Sequence, residues 1–297
     1  MFMPLVECLD VGGTRTRYAL VQDGRMMCKE AVSTPRAGMK ALMECVQLLR
    51  EKGRAQVKGR VGITCVGLPG PVKGTVLLNA APLGLVEPFD FAGVRDAFGN
   101  SLVVENDLNV AVRAEQAMGI GKDVQNFYLL ALSTGIGAGI VLNGKIVRGL
   151  AGEFGHCVLD ASSTALPCAC GHKGCWAAYS SGMGLEAAAL KESGVRVSAM
   201  ELFDGAIRGD ERAQRLVARA RDFNARGLGL MVNALEVQSI AVMGSIGLNR
   251  FETVIPRAGE IGSYSVHPVP PIVPTILGGD IGLWGAYHAG LEFLGSV

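Results

Sequence analysis

The run Leu5-Val-Glu-Cys-Leu-Asp-Val-Gly-Gly-Thr14 decides how this chain is read. A short apolar segment ends in an acid and two glycines, and Tyr18-Ala-Leu-Val21 returns as a second strand, so the unit is strand, small-residue turn, strand. The unit recurs later as Phe127-Tyr-Leu-Leu-Ala-Leu132, Ser133-Thr-Gly-Ile-Gly137 and Ala138-Gly-Ile-Val-Leu142. Between the two copies the pattern predicts a helix over residues 39–51, a strand over 61–67, a Pro-Gly-Pro break at 69–71, a strand over 101–104 and a helix begun by Asp107. Strands alternating with helices argue an α/β fold. Two glycine-rich turns facing each other across a cleft would make a phosphate clamp.

Composition removes several function classes. The 297 residues suit two medium domains, each with its own core. A formal charge of +1, with 19% charged residues, offers no polyanion-binding face, so neither nucleic acid nor an anionic membrane is expected as a partner. Hydrophobic residues reach 49%, yet Gly, Asn or a charge interrupts every apolar run before it could span a bilayer. The first ten residues carry neither a basic segment nor a long apolar core, and a cytoplasmic protein is expected. Eight cysteines in such a chain read as free thiols rather than a disulfide framework. Cys45 falls on one helical face with Leu42, Val46 and Leu49, and Cys65 sits in an apolar run, so both read as small core residues. Cys168, Cys170 and Cys175 cluster.

Two motif matches fail on chemistry. Gly139-Ile-Val-Leu-Asn-Gly-Lys-Ile146 nearly spells a P-loop, but Ile146 stands where a hydroxyl must reach magnesium, and Asn143-Gly144 reads as a hairpin turn. Gly12 and Gly13 complete no dinucleotide-binding fingerprint.

Phosphoryl transfer needs a metal-linked carboxylate, backbone donors around the phosphates and a base beside the attacking hydroxyl. Asp10, at a strand end beside Gly12, Gly13 and Thr14, suits the first role, and also reads as a turn aspartate. Asp107 lies where a strand gives way to a helix, a position that serves ligand binding or a plain N-cap. Its neighbours Glu105, Asn106 and Asn109 supply more polar groups than a cap needs, as a polyol would require. The motif Ala151-Gly-Glu-Phe-Gly-His156 precedes Cys-x-Cys-x4-Cys, and three thiolates with an imidazole form a closed tetrahedral zinc set of the structural kind. Spacing alone leaves His156 and His172 both eligible as the fourth ligand.

Taken in order, these segments resemble the ROK family, whose repressors and sugar kinases share the two-domain actin-like, hexokinase-like (ribonuclease H-like) ATPase fold with a cleft between the domains. The resemblance runs through Leu9 to Thr14, Gly67 to Pro71, Glu105 to Asn109, Leu132 to Gly137, Gly152 to His156, Cys168 to Cys175 and Asn233 to Gly247. It implies an N-terminal domain over residues 1–115, completed by a C-terminal helix over about 286–297, and a second domain over 116–285 that carries the zinc loop. It also implies an ATP-dependent kinase acting on a hexose such as glucose, at the 6-hydroxyl, as in the first step of glycolysis. Asp107 would be the general base, and Asn106, Glu153 and His156 would bind the sugar. Asp10, Gly12, Gly13 and Thr14 would face the phosphates and Mg2+, with Thr134, Gly135 and Gly137 as the second phosphate loop and Gly244 bordering the adenosine. Structural Zn2+ would be held by His156, Cys168, Cys170 and Cys175, fixing the loop that carries Glu153. ATP and a small sugar are thus the expected partners, in a homo-oligomer, dimer or tetramer.

The sequence also departs from the family pattern. Ala177 replaces an acidic residue that touches the sugar near its anomeric end, the Asn after the Ala81-Pro82 turn is missing, and the adenosine loop reads Gly244-Ser-Ile. A looser hexose kinase is expected, with mannose, fructose, allose and N-acylated hexosamines as alternative substrates. The rivals are a repressor, for which the residues before Asp10 leave no helix-turn-helix, and a sugar sensor that has lost catalysis.

Overall fold

The structure is a computed structural model that describes residues 4–80, 83–85, 87–149 and 152–295. The Ala81-Pro82 turn and Ala151 lie outside the described residues. The described residues within Met1–Lys122, Ile146–Leu150 and Gly279–Val297 form one compact unit, and those within Asp123–Lys145 and Ala151–Gly278 form a second.

The chain opens with β1 (Leu5–Val11), β2 (Arg15–Gln22) and β3 (Arg25–Ser33), followed by α1 (Met39–Gln56) and β4 (Val61–Leu68). Three short strands, β5 (Val72–Lys73), β6 (Val76–Leu77) and β7 (Phe89–Asp90), pair with one another, and β8 (Ser101–Asn106) leads into α2 (Asp107–Met118). The five-stranded sheet has the order β3-β2-β1-β4-β8; β1, β2 and β3 pair antiparallel, while β4 lies parallel to both β1 and β8.

The second unit repeats the plan with β9 (Phe127–Leu132), β10 (Ile136–Leu142) and β11 (Lys145–Ile146). Helices α3 (Trp176–Ser180), α4 (Gly182–Ser193), α5 (Ala199–Ile207) and α6 (Glu211–Ala234) then precede β12 (Ser239–Met243). After α7 (Ser245–Asn249), α8 (Phe251–Val254) and α9 (Ala258–Gly262), β13 (Ile272–Pro274) closes the sheet in the order β11-β10-β9-β12-β13. Helix α10 (Ile281–Phe293) belongs to the first unit. The strand–turn–strand repeat seen in the sequence is therefore the antiparallel start of two sheets of like topology. Asn143 (φ 51°) and Gly144 (φ 69°) turn between β10 and β11, and this left-handed pair fits a hairpin, not a phosphate loop.

Each face of the first sheet buries one layer. Met39, Leu42, Val46 and Leu49 recur at helical spacing on α1 and pack with Leu9, Leu20 and Val66; Cys45 is half-buried against this cluster. The opposite face holds Val6, Cys8 and Cys65 beneath Val110 of α2 and Leu283, Ala286 and Tyr287 of α10. Gly285 permits this packing, since a Cβ there would lie 1.8 Å from the Val110 carbonyl. Glu7 is fully buried in this unit and accepts hydrogen bonds from Tyr18 (2.9 Å), Arg50 (3.0 Å), Arg54 (2.9 and 2.8 Å) and Thr64 (2.6 Å). Burial alone would raise its pKa, but Arg54, Thr64 and Arg50 together hold it below the ordinary glutamate value. Among the described residues, no helix is long and apolar enough to cross a membrane.

Candidate active site

Asp10 is the next-to-last residue of β1, just ahead of the turn at Gly12. The turn is closed by Gly12 N–H donating to the Arg15 carbonyl (2.9 Å), and Thr34 clamps it by donating its hydroxyl to the Gly12 carbonyl (2.7 Å). Asp10 lies opposite Arg17 in the β1–β2 register, and Arg17 Nη1 donates to Asp10 Oδ2 at 3.1 Å. A Cβ on Gly282 would come within 2.5 Å of the Asp10 carboxyl carbon, so glycine in the first turn of α10 lets the carboxylate approach the helix N-terminus. Burial raises the Asp10 pKa, Arg17 opposes it and Asp280 adds to it; Asp280 is itself paired with Lys29 at 2.8 Å.

The junction of β8 and α2 is built from its own polar side chains. The N-cap is Asn106, whose Oδ1 accepts from Leu108 N–H (3.0 Å) and Asn109 N–H (3.1 Å). Capping therefore does not account for Asp107, the first helical residue. Asp107 Oδ1 accepts from Leu108 N–H (2.9 Å) and from Asn106 Nδ2 (3.1 Å), while the same Nδ2 donates to the Gly70 carbonyl (3.0 Å). The excess polarity around Asp107 has an internal use: Glu105 Oε1 accepts from Asn106 N–H (3.1 Å) and Asn109 Nδ2 (3.2 Å).

In the second unit, the turn Ser133-Thr134-Gly135 is held from two directions. Gly182 N–H at the start of α4 donates to the Ser133 carbonyl (2.8 Å) and Met183 N–H to that of Thr134 (3.1 Å). The Ser133 and Ser245 hydroxyls lie 3.2 Å apart, which joins the turn to the segment at Gly244. Gly244 (φ 92°) is demanded by the backbone, because its Cβ would lie 2.4 Å from the Leu132 carbonyl. Gly135 differs: its φ is ordinary and a Cβ there would meet nothing within 4 Å. Gly137 sits inside β10, opposite Ala131, and not in the turn.

His156, Cys168, Cys170 and Cys175 bring one ligand atom each to within 4.8 Å of one another. Cys168 Sγ is 3.6 Å from His156 Nδ1, and Cys170 Sγ is 3.7 Å from Cys175 Sγ. With metal–sulfur distances of ~2.3 Å, the edges of a tetrahedral zinc site are about 3.8 Å, so the donor set fits zinc in type and size. His172 Nδ1 lies 3.5 Å from Cys170 Sγ, but His172 stands outside this group of four. Burial would push the Cys170 thiol up, yet donors from His172 and its two fellow cysteines bring it down to about 6, while Cys175, buried beside those thiols, is pushed up to about 12. Burial first, and then the neighbouring thiols, hold Cys168 and Cys175 up, and a bound cation would offset that charge. Gly152 and Gly155 press the preceding loop onto β10, since Cβ atoms would lie 1.9 Å from the Ala138 carbonyl and 2.2 Å from that of Ile136. Glu153 is exposed, with Oε2 3.9 Å from His156 Nε2, so the two His156 ring nitrogens face the cysteines and Glu153 respectively. Behind the loop, Trp176 follows Cys175 into the core and donates Nε1–H to Asn224 Oδ1 at 2.8 Å, tying the cluster to α6.

Arg17 and Gly282 were not anticipated from the sequence, nor was the contact of Ser245, in the expected adenosine loop, with Ser133. Opposite charges placed symmetrically about the glycine turn could have revealed the Asp10–Arg17 pair; the other two depend on contacts far apart in the chain.

Two mixed five-stranded sheets of like topology, each with helices, define the hexokinase-like class of two-domain α/β proteins. Comparison with known proteins narrows this class. The ROK family profile matches residues 6–287. An N-acetylmannosamine kinase of Haemophilus influenzae is 31% identical over 246 residues, covering 81% of this chain and 80% of its own. The crystal structure of a ROK hexokinase from Thermus thermophilus superposes with a TM-score of 0.80 at 30% identity, covering 98% of this chain and 99% of that one. A ROK family glucokinase from Streptomyces griseus, solved with glucose and AMPPNP, gives 0.76 at 26% identity over 95% and 97% of the two chains. The chain belongs to the ROK family, as a sugar kinase with a zinc-site motif of one histidine and three cysteines.

Proposed function

We propose that this protein transfers the γ-phosphoryl group of ATP to the 6-hydroxyl of a hexose, glucose first, with Asp107 as general base. The observation that carries the reading is the Asp107 carboxylate itself: it stands at a strand–helix junction, is not the helix cap, and has one oxygen fixed by Leu108 N–H and Asn106 Nδ2. A base held in one rotamer is what proton abstraction in line with phosphoryl transfer requires. As the sugar oxygen bonds to phosphorus, its proton passes to Asp107 and the bond to the ADP oxygen breaks. Asn106, Glu153 and His156 supply hydrogen bonds to the remaining sugar hydroxyls. Asp10, with Gly12, Gly13 and Thr14, would serve the phosphates, and Asp10 would hold the Mg2+ that accompanies ATP, which would supply charge neutralisation. Thr134 and Gly135, with Gly137 behind them, form the second phosphate loop, and Gly244 borders the adenosine. Gly135 supports this role, because neither its backbone conformation nor its protein surroundings call for glycine, whereas close approach of a phosphate does. Zinc on His156, Cys168, Cys170 and Cys175 would supply rigidity and no chemistry.

A second reading has its own support: N-acetylmannosamine is the substrate named for the curated relatives. Ala177, at 7% exposure, brings no carboxylate toward a sugar, and the specificity of acid-bearing relatives does not transfer directly. Glycolysis is thus one of two settings, with a dimer or tetramer in the cytoplasm completing the proposal.

The test is ADP release with Mg2+ and ATP across glucose, mannose, fructose, allose, N-acetylglucosamine and N-acetylmannosamine, in parallel with Asp107→Asn. Sugar-dependent release should fall by about 10²–10⁴ in the variant, while its melting temperature and nucleotide binding persist. A variant that keeps most of its turnover would refute the base assignment, and binding of a sugar without ADP release would make the protein a sensor.

A further inference from the structure

Two residues before Asp107, the Glu105 carboxylate already receives Asn106 N–H and Asn109 Nδ2 on one oxygen. Its other oxygen receives Nε of Arg148 at 3.1 Å. Arg148 comes from the segment Ile146–Leu150, which is distant in sequence but belongs to the same unit. Its guanidinium also lies 3.5 Å from Glu292 of α10, and Glu292 pairs in turn with Arg113 of α2. The ion pairs therefore run from α10 and the 146–150 segment to the residue that precedes the helix cap.

We infer that Arg148 is a positioning residue for the phosphoryl transfer, acting through Glu105 and Asn106 to fix the rotamer of Asp107. The inference rests on the reading of Asp107 as base. Each link is a hydrogen bond: Arg148 orients Glu105, Glu105 holds the Asn106 N–H and the Asn109 amide, and Asn106 donates to Asp107 Oδ1. Arg148 is 54% exposed while Glu105 is 14% exposed. A pair with one partner so open to water contributes little to stability, so an effect on unfolding is not what this contact is suited to deliver. Orientation is another matter, because misplacing a reacting group by a fraction of an ångström costs far more in rate than in folding.

The test is steady-state kinetics and thermal melting of Arg148→Ala, Arg148→Lys, Glu105→Gln and the Arg148→Ala/Glu105→Gln double variant, beside Asp107→Asn. Arg148→Ala should lower kcat by about 10–100-fold, with KM for ATP and the melting temperature close to wild type. Arg148→Lys should recover part of the loss, since it restores charge but not the Nε geometry. In the Glu105→Gln background, adding Arg148→Ala should change kcat by less than about threefold, the signature of two residues acting through one contact. The inference is overturned if Arg148→Ala keeps kcat within about twofold of wild type while Asp107→Asn is inactive, an outcome that leaves the base reading intact. It is overturned equally if Arg148→Ala raises KM at unchanged kcat, which would make Arg148 a binding residue, or loses rate only in step with melting. If Asp107→Asn itself keeps its turnover, the base reading fails and the inference fails with it.

Discussion

At the scale of single residues, the glycines separate by what surrounds them. Gly282, Gly244 and Gly152 are required by the fold, because a Cβ would collide with Asp10, the Leu132 carbonyl or the Ala138 carbonyl. Gly135 has open space where its Cβ would be, and its φ suits any residue. The two classes look alike in sequence and make opposite predictions. Gly135→Ala should leave the melting temperature unchanged or slightly raised, since alanine restricts the unfolded chain by ~0.4–1 kcal/mol. If Gly135 serves the phosphate loop as proposed, KM for ATP should rise by about tenfold, the equivalent of ~1.4 kcal/mol, because the added methyl group would crowd the phosphates. An unchanged KM would remove Gly135 from the phosphate loop, and a large drop in melting temperature would mean that the turn has a structural need the contacts do not reveal.

At the scale of elements, two groups of side chains hold strands and loops in register. Glu7 joins β1 to β2, β4 and α1, and a buried carboxylate with two arginines loses more when one partner goes than the pair contributed as a whole. Glu7→Gln should cost about 3–5 kcal/mol at pH 7, measured by urea unfolding. Because the folded pKa lies below the unfolded one, this stability is fully present above the unfolded value near ~4.3 and is lost as pH falls through the folded value. The gap between wild type and Glu7→Gln should therefore narrow in acid; a gap independent of pH would show that Glu7 acts through packing alone. The zinc loop makes the second case. Cys170→Ser should lower the melting temperature by about 5–10 °C, a few kcal/mol at ~2–4 °C per kcal/mol, and weaken sugar binding with it. Wild-type protein without zinc by elemental analysis, together with unchanged melting, would discard the metal site. Strands β1, β2, β4 and β8 and the β9–β10 start of the second sheet were legible in sequence because apolar runs punctuated by Gly, Pro and Asn mark strands wherever tertiary context agrees with local preference, whereas β3, β12 and β13 were not read as strands. The cysteine spacing was equally plain; it left His156 and His172 both eligible, the family resemblance favoured His156, and the loop brings His156 into the group of four, while the Asn106 cap was hidden by adjacent polar residues that could each have served. The Glu7 network was illegible, since an acid between apolar strand residues shows its partners only after α1 folds over the sheet.

At the scale of the whole molecule, fold and chemistry part company. A hexokinase, a glucokinase and an N-acetylmannosamine kinase all match most of this chain, so the architecture sets the reaction class and leaves the sugar to a few side chains. On the proposed reading, alanine at position 177 lacks a charge-assisted hydrogen bond worth ~1.5–3 kcal/mol, which predicts shallow discrimination among sugars in place of one sharp preference. Ligand-linked melting reads that discrimination without any assumption about turnover, because a ligand that binds only the folded protein raises its stability by about 2.7 kcal/mol at 100 times its Kd. Glucose at millimolar concentration should raise the melting temperature by several degrees, and mannose and N-acetylmannosamine by amounts within a factor of about two of that shift. Ala177→Glu should widen the spread in favour of whichever sugar places a hydroxyl at that position. A wild-type shift confined to N-acetylmannosamine would transfer the substrate assignment to the N-acylhexosamines; equal, large shifts in wild type and Ala177→Glu would show that position 177 does not reach the sugar, and that selectivity lies with Asn106, Glu153 and His156.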